Sequence, residues 1–170
     1  MPIAEYLNER YPESAAQRPT AFAEGTLGLQ KAFNAAFDNT VESHKLFVVP
    51  AIASWLNPPS EEHFRRTRQE RFKVQVVEDA IPKAEEAQVK WAKFQVELDK
   101  VASWYPSDKQ EQFIMGSKPT WADIVVASEL IWMKIVLGAE SEKWKDITRW
   151  HSERWKNVLD SMDSFTSTSS

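Results

Sequence analysis

The chain has no cysteine among its 170 residues. That excludes a disulfide framework, a thiolate metal site, a redox CxxC pair and a cysteine nucleophile. Glycine is nearly as scarce. Its four residues fall in neither a GxGxxG nor a GxxxxGK(S/T) arrangement, so the sequence carries neither the dinucleotide fingerprint nor the phosphate-cradling loop. A strong charge of one sign is also missing: 21 Lys and Arg against 25 Asp and Glu leave a formal charge of -4, too mild to call for a nucleic-acid or anionic-membrane partner. The most apolar stretch, Ile124 to Leu137, is interrupted by Glu129 and Lys134 and falls short of the roughly 18 uncharged residues of a membrane span. Nor does Met1-Pro2-Ile3-Ala4-Glu5-Tyr6-Leu7 hold a basic region followed by an apolar one. The expectation is a soluble, cytoplasmic protein.

What is present is apolar spacing of three and four residues from end to end, and this predicts an all-α fold with one core. A first helix spans about Pro2 to Arg10 and stops at Tyr11-Pro12, followed by a polar loop through Pro19. From Phe22 to Leu56 the pattern reads as one long helix or two in series, kinked at Pro50. Leu46-Phe47-Val48-Val49 within it could be a short strand but has no partner of similar character. Ser60-Glu61-Glu62 caps and opens a charged helix to about Ile81. Helices then follow from Ala84 to Tyr105, from Thr120 to Leu137 with Gly138 as its stop, and from Ser141 to Met162. The third-last of these presents one apolar face, whereas the helix from Thr120 is apolar almost all round and is expected in the centre of a bundle. Residues 164–170 read as a fraying tail.

Few residues stand out as chemistry. Thr120-Trp121-Ala122-Asp123 has the spacing of a capping box, in which threonine and aspartate satisfy each other's backbone amides, and this structural role outweighs a catalytic one for Asp123. The basic run His63 to Arg71 is answered at spacing four by Glu61 with Arg65, Glu62 with Arg66 and Arg66 with Glu70, so a solvated, partly paired face is the simpler reading. Arg68, near Phe64 and Phe72, is the candidate for a buried structural pair. His44, His63 and His151 lie far apart and form no ligand pattern, so no metal is expected. No GxSxG accompanies the serines. Of the eight tryptophans, Trp91, Trp132, Trp144 and Trp155 read as core or half-buried packing, with a groove for a flat apolar ligand as the alternative. Phe33, Phe37 and Trp132 are the candidate wall of that groove.

Ile3-Ala4-Glu5-Tyr6-Leu7 with Tyr11-Pro12, then a bundle, then Thr120-Trp121-Ala122-Asp123-Ile124 opening a buried helix, resembles the cytosolic glutathione transferases. In that family the I-x-x-Y-L segment closes a thioredoxin-like, glutathione-binding domain, and the S/T-x-x-D box opens the central helix of the all-α C-terminal domain. Phe64-Arg65-Arg66-Thr67-Arg68-Gln69-Glu70-Arg71-Phe72 resembles the F-R-x-T-R-E segment of the fungal class A, etherase-related group. There the sequence continues F-G, whereas here Phe72 is followed by Lys73.

The resemblance implies residues 1–12 as the remnant of the thioredoxin-like domain's last helix, 13–163 as the all-α domain, and 164–170 as a disordered tail. It implies glutathione as co-substrate when the thioredoxin-like domain is present, an apolar small-molecule substrate for conjugation or ether cleavage, and a homodimer. The acidic residue and serine that hold glutathione's γ-glutamyl end precede the I-x-x-Y-L helix in the family, and the catalytic Ser, Cys or Tyr lies further upstream. No residue here matches them, so none is carried over as catalytic, and the chain alone is expected to be inactive. Without a sheet to pack on, Ile3, Leu7 and Tyr11 must be exposed or dock elsewhere. The rival reading is a non-catalytic module binding apolar ligands or protein partners.

Overall fold

The structure, a computed structural model, describes residues 2–10, 21–108 and 111–166. It is all-α. Among these residues seven α-helices follow one another, and β pairing is confined to an isolated bridge between Phe113 and Gly116. The helices are α1 (Pro2–Arg10), α2 (Leu27–Thr40), α3 (Lys45–Val48), α4 (Pro58–Phe72), α5 (Ala84–Ala102), α6 (Trp121–Leu137) and α7 (Glu142–Thr166). Tyr11-Pro12 and the loop through Pro19 lie outside the described residues.

The core gathers Phe37 and Val41 from α2 and its end, Phe94, Leu98 and Val101 from α5, Val126, Leu130 and Met133 from α6, and Trp144, Ile147, Trp155 and Val158 from α7. Its spacing of three and four residues on each helix is the periodicity that makes one side apolar. Trp155 is fully buried and Trp144 nearly so, while Trp91 and Trp132 pack against the core half-buried. The turn between α2 and α3 is fastened from α5: the Glu97 carboxylate accepts from the Glu42 and Ser43 amides at 3.1 and 2.9 Å and from the Ser43 hydroxyl at 2.7 Å.

Several boundaries differ from the sequence expectation, each for a local reason. The long pattern from Phe22 to Leu56 is cut at Val41, where ψ of 88° leaves the helix. Leu46 to Val48 is helical, and at Pro50 the chain tightens into a 3₁₀ helix, Pro50–Trp55. α4 starts at Pro58, not Ser60, because Asn57 is the cap, its side chain accepting from the Ser60 amide at 3.1 Å. It ends at Phe72, nine residues before the expected Ile81, because Lys73 takes the left-handed conformation with φ 56°. A second 3₁₀ helix, Val77–Ala80, fills the remainder.

Of the three charge pairs expected along α4, only Glu61 with Arg65 closes among the described residues, at 2.8 Å; Arg65 also grips Glu78 at 2.8 Å. Arg68 makes no buried ion pair among the described residues. Its guanidinium lies 4.8 Å from the Phe64 ring centroid, and its Nε is buried without a partner.

The largest departure is in α7, which the sequence reads as one uninterrupted helix. Trp150 is extended with ψ 151°, and His151, Ser152 and Glu153 follow with φ of 55, 56 and 62°. Left-handed backbone costs an L residue with a Cβ about 1–2 kcal/mol, so three in succession hold only where the surroundings determine them. Residues of both halves of α7 face α6. The second half runs on to Thr166, three residues into the stretch read as a tail.

Candidate functional site

The first candidate is the opening of α6. Thr120 and Asp123 form a capping box there. The Thr120 amide donates to Asp123 Oδ2 at 2.8 Å, its hydroxyl to the same oxygen at 3.0 Å, and the Ile114 amide to Oδ1 at 2.9 Å. Burial pushes the Asp123 carboxyl above its ordinary range, against the pull of these hydrogen bonds. The Tyr105 phenol is pushed up by burial as well, and next by the Asp123 charge.

Helix N-termini attract anions through free amides, but here the amides are occupied. Trp121 donates to the Ala21 carbonyl at 2.8 Å, and Ala122 to Gln30 Oε1 at 2.8 Å, with Gln30 itself buried between α2 and α6. Phe22 stacks on Trp121 at 5.6 Å. Asp123 is fully buried, and its two oxygens hold the Ile114 and Thr120 amides to the start of the helix.

The second candidate is a groove of about 1080 Å³ between α6 and both halves of α7. Ile124, Ile131 and Ile135 form one side, Trp144, Leu159 and Met162 the other. α6 is the buried helix of the bundle, with six buried residues, but on this side Ile131 is 44% and Ile135 57% exposed. Lys134, Lys145 and Lys156 stand on the rim beside Glu140, Asp160 and Asp163. The groove's two hydroxyls are turned back onto their own helices: Ser128 donates to the Ile124 carbonyl at 2.7 Å, and Thr148 to the Lys145 carbonyl at 2.9 Å. It offers an apolar bed and no activated nucleophile.

The candidate wall residues are only partly assembled. Phe33 and Phe37 stack at 6.1 Å on α2, and Phe33 meets Trp104 edge-on at 5.5 Å. Phe37 is buried in the core. Trp132 sits on α6 against His44, edge-on at 6.1 Å, and none of the three lines the α6/α7 groove.

Two histidine arrangements escape sequence reasoning. His44 is buried, its Nε2 bonded to Glu129, its ring 5.2 Å from Phe94, and its Nδ1 without a partner. His151 bridges Asp99 and Trp155 at the break in α7. Partners 52 and 85 residues away leave no signal in a single sequence. Among the described residues no cluster of His, Asp and Glu could hold a metal ion, and no helix is long and apolar enough to cross a membrane.

One more surface is uncovered. On α1, Ile3 is 76%, Tyr6 60% and Leu7 47% exposed. The helix is tied to α2 by an exposed ion pair, Glu5 with Lys31 at 3.0 Å. A nine-residue helix gains little stability of its own, and Ile3, Tyr6 and Leu7, three and four residues apart, share one face of it.

Against known proteins, residues 28–165 match the model of the glutathione S-transferase C-terminal domain. Two glutathione S-transferases of Ceriporiopsis subvermispora, both crystallised with glutathione, have the same fold. One is 32% identical with a TM-score of 0.86 over 98% of this chain and 65% of its own, and the other 31% identical with a TM-score of 0.84 over 96% and 64%. Glutathione transferase GSTFuA3 of Phanerochaete chrysosporium is 27% identical, with a TM-score of 0.80 over 99% of this chain and 64% of its own. The chain thus spans less than two-thirds of the length of these structures. No curated protein matches it.

Proposed function

Since the chain belongs to the glutathione S-transferase C-terminal domain family, we propose that it is the all-α half of a cytoplasmic glutathione transferase, with glutathione held by residues outside this chain. The observation that carries this reading is the uncovered apolar surface of α1, where Ile3, Tyr6 and Leu7 face solvent. A thioredoxin-like domain packed there would bury them and supply the site that activates the glutathione thiol. Lowering that thiol's pKa makes the thiolate nucleophile. The helical half then contributes proximity, holding an apolar electrophile beside it.

In this role the half-buried Phe33 and Trp132 contribute an apolar wall, with Phe37 behind Phe33 in the core, and the helical half supplies a homodimer surface. The F-R-x-T-R-E-like segment on α4 favours a fungal class A, etherase-related transferase, with ether cleavage as well as conjugation within its chemistry. The departure at Lys73 is consistent with that kinship, because the position is left-handed in this chain, the conformation in which glycine is at ease.

A non-catalytic module binding apolar ligands is the second reading. It is favoured by the α6/α7 groove, whose hydroxyls bond to their own helices. Tryptophan fluorescence of the 170-residue chain, titrated with glutathione and with an apolar anilinonaphthalene dye, tests both readings together with a conjugation assay on an aryl halide. The expected result is a response to the dye, none to glutathione and no turnover. Measurable turnover would place a thiol-activating group within this chain and overturn the proposal.

A further inference from the structure

The break in α7 has no part in the proposed role, yet its chemistry is specific. An indole N–H only donates. Trp155 Nε1 lies 2.6 Å from His151 Nδ1, so Nδ1 must be the acceptor and the ring proton sits on Nε2. That nitrogen in turn donates to Asp99 Oδ1 at 2.7 Å. The ring therefore joins α5 to a fully buried tryptophan, and it does so from the first of three residues with positive φ.

We propose that His151 is a proton-operated latch on this break. In its neutral form the ring bridges Asp99 and Trp155. A proton taken from solvent by Nδ1 leaves the Asp99 contact in place as an ion pair but sets two N–H donors against each other, so the Trp155 indole is released. Histidine is the side chain whose unperturbed titration falls between about pH 5 and 8.

The charged groups around the ring can receive the proton's charge. Asp99 faces it from α5. Asp108 and Glu111, from the loop after α5, share with it a cavity of about 440 Å³, as do Asp160 and Arg154 from α7. The Arg154 guanidinium is engaged elsewhere, 5.1 Å from the Tyr105 ring centroid and 3.4 Å from the Pro106 carbonyl. Release removes one of the two side-chain bonds His151 makes at the left-handed turn and changes the wall of this cavity, which His151 and Ser152 help to form. Acid thus loosens α7 at one defined place.

Nitrogen–proton correlation spectra of the 170-residue chain test this, with the Trp155 indole signal identified by its loss in Trp155→Phe. In the wild type at high pH, His151 should be the tautomer with Nδ1 unprotonated, and the Trp155 indole signal should shift with the same midpoint as the His151 ring. In Asp99→Asn the coincidence should persist, which separates histidine from aspartate titration. In His151→Gln the midpoint should vanish from the Trp155 signal. A proton on Nδ1 at high pH, or an indole signal that stays still while the ring titrates, would overturn the proposal. Should the glutamine variant fail to fold, the wild-type titration decides alone.

Discussion

Helices α4 and α6 are of similar length, 15 and 17 residues, yet they solve the problem of stability in opposite ways. α6 buries six residues and opens on a buried capping box. By contrast α4 buries none, packs chiefly on the two 3₁₀ helices, and is held by the partly exposed Arg65 pairs and the Asn57 cap. A buried polar contact is costly to lose because its partners cannot turn to water, whereas a surface ion pair is replaced by water at little cost. The two helices should therefore answer similar substitutions very differently.

The largest expected effect is at α6. Asp123→Ala leaves the Thr120 and Ile114 amides without acceptors and should cost about 3 kcal/mol, read from urea unfolding. Because burial raises the Asp123 pKa in the folded state, its contribution is fullest below the ordinary carboxyl range. It falls as pH rises through the raised value, so the gap between wild type and variant should narrow in that direction. A loss below about 1 kcal/mol would mean that the box is dispensable and the contrast with α4 mistaken.

Glycine gives a test in which the sign itself is informative. In an ordinary helix interior a change to glycine costs about 1 kcal/mol relative to alanine. At Lys73, which ends α4, and at Glu153, within the break of α7, the backbone is left-handed, so Lys73→Gly and Glu153→Gly should each raise stability by about 1 kcal/mol. Lys145→Gly, in the first half of α7, should lower it by a similar amount. Thermal unfolding of the three variants distinguishes a broken α7 from a continuous one.

The smallest effect belongs to the surface of α4. The hydrogen bond from Arg65 holds the Glu78 carboxyl below its ordinary value, so this pair's contribution is present above the carboxyl range and lost as pH falls. Since the Glu78 side chain is still 43% exposed, Glu78→Gln should cost about 0.5 kcal/mol or less at neutral pH and flatten the acid limb of the stability profile. A cost several times larger would show that α4 depends on its ion pairs as α6 depends on its box.

The same contrast governs how much was legible in the sequence. The all-α class, α6 with its Thr120 opening and Gly138 end, and the packing of Trp144 and Trp155 follow from periodicity and local capping chemistry, which operate within a few residues. The early end of α4 at Lys73 and the break at Trp150 to Glu153 did not, because none of these residues is a helix breaker in isolation. His151 holds its place through Asp99, a residue of another helix. The exposure of Ile131 and Ile135 on α6 was not legible for a related reason: an apolar side chain reports that it needs covering, not whether this chain supplies the cover.

The uncovered apolar surface of α1 is where the account is most exposed to test. The direct measurement is the mass of the native polypeptide in its source cells, detected with an antibody raised against residues 141–170. The account predicts a species heavier than 19.6 kDa by about one small domain of roughly 80–100 residues, enough to cover Ile3, Tyr6 and Leu7 and bring glutathione to the helical half. A species of 19.6 kDa would contradict it and leave the chain as a binding module acting alone.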